Sequence, residues 1–144
     1  MRLLTIDSSV FVSAARPSEI GNAESTAFLI WVRNTRPRLF LPTLVMAEVA
    51  AALSRTGSKP GLAQQYAMAV GQLPNTVMVA LDEGLARQSA ALGAQHRLRG
   101  ADAVYLASAA LFAAELVTLD REQLGRGAAI VQTLAPADFL ATIK

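Results

Sequence analysis

The chain has 144 residues, 53% of them hydrophobic, with no cysteine and a formal net charge of +2. This length predicts a single domain, residues 1–144, with its own buried core, and the lack of cysteine excludes thiolate zinc sites, disulfides and cysteine nucleophiles, as is typical of cytoplasmic proteins. Charged residues interrupt every apolar stretch before the ~20 positions that a membrane span needs, and the many arginines suit a phosphate-bearing partner such as nucleic acid.

The first half of the sequence alternates short apolar runs with segments of helical periodicity. LLTI, residues 3–6, has the composition of a buried strand, and residues 22–35 carry apolar residues at helical spacing behind an N-cap candidate. The short run LFL at residues 39–41 precedes helices predicted over residues 42–55 and 60–73. The predicted order in this half is therefore a strand, a helix, a short apolar run and two further helices.

The second half continues the alternation of strands and helices. Strands are predicted at residues 76–80, 116–119 and 130–133, and helices at residues 83–96 and 101–114. A short helical turn is expected between the last two strands, and another after Pro136. Strands joined by helices pair in parallel, so the sequence predicts an α/β three-layer sandwich, with a parallel sheet of about five strands and helices on both faces.

Four acidic residues interrupt apolar sequence where solvent exposure is not expected. Asp7 ends LLTI, Glu48 lies within LVMAEVAAAL, Asp102 begins ADAVYLASAAL and Asp120 follows ELVTL. Asp7 and Asp120 stand at the carboxyl ends of predicted strands, where parallel α/β sheets bind their ligands. Glu48 has apolar neighbours at helical spacing, and an unpaired buried carboxylate is costly, so a cationic partner is expected.

Each of these acids also has a purely structural interpretation. Asp7 could cap a helix that begins at Ser8, and Asp120 with Gln123 has the spacing of a capping box. Asp102 could interact with a helix dipole, and Glu48 could lie at an exposed helix edge. Taken together, two strand ends and two helices that each carry one isolated acid favour a shared acidic pocket.

A pocket of carboxylates needs a cation to offset the repulsion between them. The all-oxygen donor set favours Mg²⁺ or Mn²⁺. Such an ion lowers the pKa of a bound water and stabilises the departing oxygen during attack on a phosphodiester, so no histidine base is required. His96, the one histidine in the chain, is accordingly interpreted as a surface or helix-end residue.

At this point four segments of the sequence resemble the PIN-domain nucleases, and among them the VapC-like toxins of type II toxin–antitoxin systems. The segments are IDSSVFV, PTLVMAEVAAAL, GADAVYLASAA and ELVTLD, and their order and spacing span the whole chain. The resemblance implies a Mg²⁺- or Mn²⁺-dependent endoribonuclease whose catalytic and metal-binding acids are Asp7, Glu48, Asp102 and Asp120. Asp7 and Asp102 would be the principal ligands.

The resemblance also implies supporting residues and partners. Thr118 matches a hydroxyl position of the family, whereas Ser9 stands where asparagine is frequent and still offers a hydroxyl. Members are typically homodimers or higher oligomers that an antitoxin holds inactive, and the helix FLIWV, residues 28–32, could contact such partners or belong to the core. Arg97 and Arg99 could contact RNA phosphates, or they could simply be solvated residues at a helix end.

Other functions remain to be weighed against this one. A PIN-domain nuclease that processes RNA without being a toxin, or an RNA-binding module, would share these motifs. A receiver-type phosphoacceptor would need a second acid beside Asp7 and a lysine at a late strand end, and neither Lys59 nor Lys144 is so placed. The sequence has no GxxxxGK[ST] motif of P-loop proteins and no GxSxG motif of serine hydrolases.

Overall fold

A parallel β-sheet forms the centre of the protein. The computed structural model describes residues 1–143, so Lys144, the last residue of the predicted domain, lies outside the described residues. Within residues 1–143 the sheet has five strands, β1 (Leu3–Ile6), β2 (Arg38–Pro42), β3 (Thr76–Val79), β4 (Glu115–Val117) and β5 (Thr133–Leu134). Every pair is parallel, and the order is β3-β2-β1-β4-β5.

Helices connect the strands and cover the sheet. In the same residues they are α1 (Ser8–Ala15), α2 (Asn22–Thr35), α3 (Leu44–Arg55), α4 (Pro60–Val70), α5 (Glu83–His96), α6 (Gly100–Leu111), α7 (Arg121–Arg126) and α8 (Pro136–Ala141), with a 3₁₀ helix at Gly127–Ala129. Helix α6 contacts β1, β2 and β4, while α1 packs against α2 and α3. The predicted α/β sandwich is confirmed. No helix in residues 1–143 is long and apolar enough to cross a membrane.

The last strand begins about three residues later than the sequence predicts. The sequence predicts residues 130–133, but β5 is Thr133–Leu134. The backbone N–H groups of Ile130 and Val131 both donate to the carbonyl of Gly127 and continue the preceding turn. Thr133 and Leu134 pair with Leu116 and Val117 of β4. Apolar composition alone cannot distinguish a 3₁₀ turn from such a short strand.

Several other boundaries differ at one end. Helix α4 ends at Val70 instead of residue 73, because tight turns follow it. Helix α6 ends at Leu111 instead of residue 114, since Ala113 adopts a left-handed conformation with φ of 52°. As a result β4 covers residues 115–117 instead of 116–119. Strand β3 stops one residue short of the predicted 76–80.

The central strand is buried on both faces. Leu4, Thr5 and Ile6 of β1 are all fully buried, as expected for a strand with neighbours on either side in a parallel sheet. The helix segment FLIWV belongs mainly to the core, because Phe28 and Val32 are also fully or almost fully buried. The alternative that this segment provides a partner surface is therefore wrong for these two side chains.

A cluster around Arg2 joins the beginning of the chain to its last helix. The Arg2 guanidinium pairs with Glu115 at 2.6 Å and donates to the Thr142 hydroxyl at 2.7 Å. It also lies over the Phe139 ring, 4.0 Å from the centroid. These contacts hold α8 against β1 and β4.

Candidate functional site

The order of the strands reverses beside β1. From β1 the chain continues to β2 and β3 on one side of the sheet, and it later adds β4 and β5 on the other side. In parallel α/β sheets, ligands bind at such a switch point, beyond the carboxyl ends of the strands. Asp7 follows β1 directly, and its backbone N–H donates to the Val117 carbonyl at the end of β4. This hydrogen bond fixes Asp7 between the two strand ends.

Asp7 is a buried carboxylate that receives hydrogen bonds from neutral donors. Its exposed fraction is 5%. One carboxylate oxygen accepts from the Ser9 backbone N–H at 2.9 Å, which makes Asp7 the N-cap of α1, and the other accepts from the Gln123 side-chain amide at 3.2 Å. Burial raises the pKa of Asp7, the hydrogen bonds from Ser9 and Gln123 lower it, and the negative charge of Glu48 raises it further.

Gln123 links Asp7 to the hydroxyl of Thr118. Both residues are fully buried, and the Thr118 hydroxyl donates to the Gln123 side-chain oxygen at 2.6 Å. The same hydroxyl accepts from the Asp120 N–H at 3.0 Å and lies 3.5 Å from the Ser9 hydroxyl. Ser9 in turn accepts from the Leu119 N–H at 3.0 Å. The two predicted supporting hydroxyls therefore belong to one hydrogen-bond network with Asp7.

The sequence predicts only a capping role for Gln123, and one of the two hydrogen bonds of a capping box is present. The Gln123 N–H donates to the Asp120 carboxylate at 2.9 Å, so Asp120 caps α7. In a capping box the Gln side chain would return to the Asp120 N–H. Here Thr118 accepts from that N–H, and the Gln123 side chain is free to bind Asp7. The spacing therefore signalled a helix start, but it could not reveal the contact with Asp7.

Glu48 enters the site from α3 and is held by a buried tyrosine. One of its carboxylate oxygens accepts from the Tyr105 hydroxyl at 2.7 Å, and Tyr105 is fully buried on α6. Burial raises the pKa of Tyr105, and the negative charges of Asp7 and Glu48 raise it further. Tyr105 therefore remains a neutral donor. Its role was not predicted, because a tyrosine within an apolar helix has the pattern of an ordinary core residue.

Asp102 and Asp120 share one arginine. Asp102, in the first turn of α6, has a side chain only 10% exposed, and its carboxylate lies 3.0 Å from Arg99 Nε. Asp120 lies 2.7 Å from Arg99 Nη2. Burial raises the pKa of Asp102, the Arg99 guanidinium lowers it, and the charges of Asp120 and Asp7 raise it again. Arg99 thus contacts these acids, and its predicted contact with RNA stays a prediction.

Three pairwise charge interactions link the four predicted acids. The negative charge of Glu48 raises the pKa of Asp7, and the charges of Asp120 and Asp7 raise the pKa of Asp102. Among residues 1–143, no arginine, lysine or histidine forms an ion pair with Asp7 or Glu48. Two of the four carboxylates therefore have neutral donors but no positive partner.

The donor set fits a hard divalent cation, although the side chains alone do not form a complete coordination sphere. In the described part of the chain, no group of three acidic or histidine side chains has the spacing of a complete metal site. Mg²⁺ does not require one, since it usually keeps several waters and binds one or two carboxylates. Asp7, buried and without a cationic partner among residues 1–143, offers the oxygen ligand that such an ion prefers.

An apolar groove borders the acidic residues. It has a volume of about 680 Å³ and lies between α3, α5 and α6, with Leu44, Leu81 and Val104 among its lining residues and Glu48 on its wall. Arg97 is exposed at the end of α5, in a left-handed conformation with φ of 56°. His96 is the last residue of that helix.

Comparison with known proteins gives a consistent result. Residues 4–128 match the PIN domain family. FitAcB from Neisseria gonorrhoeae superposes with a TM-score of 0.70 at 17% identity, covering 93% of this chain and 98% of that one. A toxin–antitoxin complex from Klebsiella pneumoniae gives 0.65 at 20% identity, covering 92% and 97%. VapC20 from Mycobacterium tuberculosis, a toxin that cleaves the sarcin–ricin loop, gives 0.70 at 14% identity, covering 88% and 93%. None of the curated proteins matches the sequence.

Proposed function

The chain belongs to the PIN domain family, and from that premise we propose that it is a divalent-metal-dependent endoribonuclease, the toxin of a toxin–antitoxin pair. Asp7 and Asp102 are proposed as the principal ligands of Mg²⁺ or Mn²⁺, with Glu48 and Asp120 completing the set. The similarity in fold to VapC20, a toxin that cleaves the sarcin–ricin loop, supports ribonuclease activity.

The observation that carries this proposal is the environment of Asp7. A carboxylate with an exposed fraction of only 5% lies at the switch point of the sheet, close to Glu48, and its hydrogen-bond donors are neutral. Burial of an unpaired negative charge is unfavourable. A structural cap alone would not need the second buried donor that Gln123 supplies. A divalent cation bound by Asp7 would offset this unfavourable charge and would explain why the carboxylate is buried.

Hydrolysis of a phosphodiester adds a water oxygen to phosphorus, breaks one P–O ester bond and releases a proton from the water. When bound, the divalent ion lowers the pKa of water and stabilises the charge on the departing oxygen. Glu48, whose carboxylate accepts a hydrogen bond from Tyr105 at 2.7 Å, is proposed to accept the released proton. Thr118 and Ser9 fix the start of the loop that bears Asp120.

We further propose that the protein binds an antitoxin and forms a homodimer or higher oligomer. The toxin–antitoxin complex from Klebsiella pneumoniae has the same fold, and the apolar groove beside Glu48 provides surface for a partner segment. RNA phosphates are proposed to contact Arg97 and, when it is free of the acids, Arg99.

The nuclease proposal is tested by incubating the purified protein with a panel of structured RNAs in Mg²⁺, Mn²⁺ or EDTA. We expect cleavage with either metal, none in EDTA, and a loss of at least about 100-fold in Asp7→Asn, since a principal ligand is removed. Glu83→Gln is the matched control, because it removes one negative charge from an exposed ion pair on α5. Equal cleavage by wild type and Asp7→Asn, or cleavage that persists in EDTA, would contradict the mechanism.

The toxin proposal needs a separate measurement in cells. Induced expression in a bacterial host should arrest growth, and Asp7→Asn should not. Growth that is unaffected by a protein that is active on RNA in vitro would favour an RNA-processing nuclease of the same family.

A further inference from the structure

Arg99 is the cation nearest to the proposed metal ligands. It precedes α6, and its guanidinium extends to two elements at once, with Nε 3.0 Å from Asp102 and Nη2 2.7 Å from Asp120. Glu122 of α7 lies 3.9 Å away. One guanidinium therefore joins the first turn of α6 to the first turn of α7 and partly neutralises three carboxylates.

The arginine is the exposed member of these ion pairs. Its side chain is 68% exposed, whereas those of Asp102 and Asp120 are 10% and 21% exposed. Asp102 lies in a helix whose neighbouring side chains are buried, and Asp120 is fixed by its cap hydrogen bond to α7. Arg99 can rotate into solvent without disturbing the core, but the two aspartates cannot follow it.

The charge around Arg99 is unevenly distributed. Arg99 contacts Asp102 and Asp120, while Asp7 and Glu48 receive hydrogen bonds from neutral groups. Arg126 lies 3.7 Å from Glu122 and donates to the Arg97 carbonyl. A divalent ion bound by Asp7 and Asp102 would meet the Arg99 guanidinium on the same Asp102 carboxylate. Two cations that share one carboxylate repel each other.

From this arrangement we propose that Arg99 is a built-in counter-ion that competes with the divalent metal for Asp102 and Asp120. In the metal-free protein it holds α6 and α7 together through the two acids. Metal binding displaces the guanidinium from the two acids into solvent. This inference rests on the proposed metal-dependent function, and it assigns Arg99 a regulatory position in that site, separate from the ligands.

The test measures Mn²⁺ affinity without RNA, by titration calorimetry or by the electron paramagnetic resonance signal of free Mn²⁺. Arg99→Gln removes the charge and keeps the Cβ–Cγ–Cδ stem with a polar end group. We expect it to bind Mn²⁺ about threefold to tenfold more tightly than wild type, the effect of releasing two partly solvated ion pairs. Arg87→Gln is the matched control, since it breaks an exposed arginine–glutamate pair on α5, and it should leave the affinity unchanged.

Thermal unfolding gives a second readout that a simple structural role would not produce. In EDTA, Arg99→Gln should have a lower Tm than wild type, because Asp102 and Asp120 lose their shared cation. Saturating Mn²⁺ should raise its Tm by more than that of wild type. A structural role alone would lower Tm equally with and without Mn²⁺.

The outcomes separate this inference from the proposed function. Equal or weaker Mn²⁺ binding by Arg99→Gln overturns the role of Arg99, and the nuclease proposal stands if wild type binds Mn²⁺ and Asp7→Asn does not. If neither wild type nor any of the variants binds Mn²⁺, both proposals are wrong. Tighter binding by Arg99→Gln together with an unchanged Arg87→Gln supports the competition.

Discussion

Gln123 offers a sharp test of how the acidic site is held together. Its side-chain amide donates to the buried Asp7 carboxylate at 3.2 Å, and its carbonyl oxygen accepts from Thr118 at 2.6 Å. Gln123→Leu deletes both hydrogen bonds and preserves most of the side-chain volume. Little of its effect should therefore come from a cavity, and most should come from polar groups left without partners.

The expected magnitude follows from the two bonds that are lost. A hydrogen bond to a charged group contributes about 1.5 to 3 kcal/mol, and a neutral one about 0.5 to 1.5 kcal/mol. The Asp7 contact is long, and the Thr118 hydroxyl can still turn toward Ser9, 3.5 Å away. We therefore expect Gln123→Leu to lower the free energy of unfolding by roughly 2 to 3 kcal/mol at pH 7, about 5 to 10 °C in Tm.

The cost should decrease as the pH falls, and the direction follows from proton linkage. Burial raises the pKa of folded Asp7 above its ordinary value, and loss of the Gln123 donor raises it further in the variant. The folded variant therefore takes up a proton at a higher pH than its unfolded chain does, so acidification favours its folded state. The difference from wild type should be largest at neutral pH and decline through the raised pKa of Asp7.

Urea unfolding in EDTA, followed by circular dichroism at pH 7 and at about pH 5, measures this dependence. A double-mutant cycle with Asp7→Asn isolates the contact, and we expect a coupling of about 1 kcal/mol. Gln72→Leu, at an exposed glutamine after α4, is the control and should change stability by less than about 0.5 kcal/mol. A cost for Gln123→Leu that is independent of pH and unchanged in the Asp7→Asn background would refute the link between Gln123 and Asp7.

Three further predictions follow from the same structure. Asp7→Asn should raise the Tm of the metal-free protein by a few degrees, or the free energy of unfolding by about 1 kcal/mol, because asparagine keeps the cap acceptor without a buried charge. Calorimetry in EDTA should show that this gain in Tm disappears at low pH. A Tm below that of wild type would mean that the charged cap contributes more than the buried charge costs. Tyr105→Phe should lower the free energy of unfolding in urea by about 1 kcal/mol, the contribution of one hydrogen bond, and an unchanged value would contradict the contact with α3. Gly127→Ala should lower the free energy of unfolding by about 1 to 3 kcal/mol, since its methyl group would lie 2.8 Å from a leucine of α6. Gly125→Ala, with open space around the residue, should instead raise the free energy of unfolding by about 0.5 kcal/mol or more. Thermal unfolding of the two variants checks both signs, and equal effects would refute the packing argument.

The two longest helices were predictable from local signals, and the short strands were less so. Helices α2 and α5 begin and end where the sequence predicts, at residues 22–35 and 83–96, because helical periodicity over 14 residues is a strong signal. Strand β5 has two residues, too few to show any alternation. Its position depends on backbone pairing with β4, and that pairing cannot be read from its own composition.

The candidate acids were predictable as isolated charges, but their partners were not. A carboxylate within an apolar run stands out in the sequence, whatever it binds. The contacts that organise the site join Gln123 to Asp7 across 116 positions and Tyr105 to Glu48 across 57. Each partner has an ordinary local interpretation, one as a cap residue and the other as a core aromatic. Only the fold brings these pairs together.

The contacts of Arg2 have a consequence for the kinetics of folding. Its hydrogen bond to Thr142 joins residues 140 positions apart, and closing a loop of that length costs more conformational entropy than forming a local contact. We expect such a contact to form after the folding transition state, and a contact that forms late acts mainly on the rate of unfolding. Arg2 should therefore lengthen the lifetime of the folded protein while leaving the speed at which it folds almost unchanged.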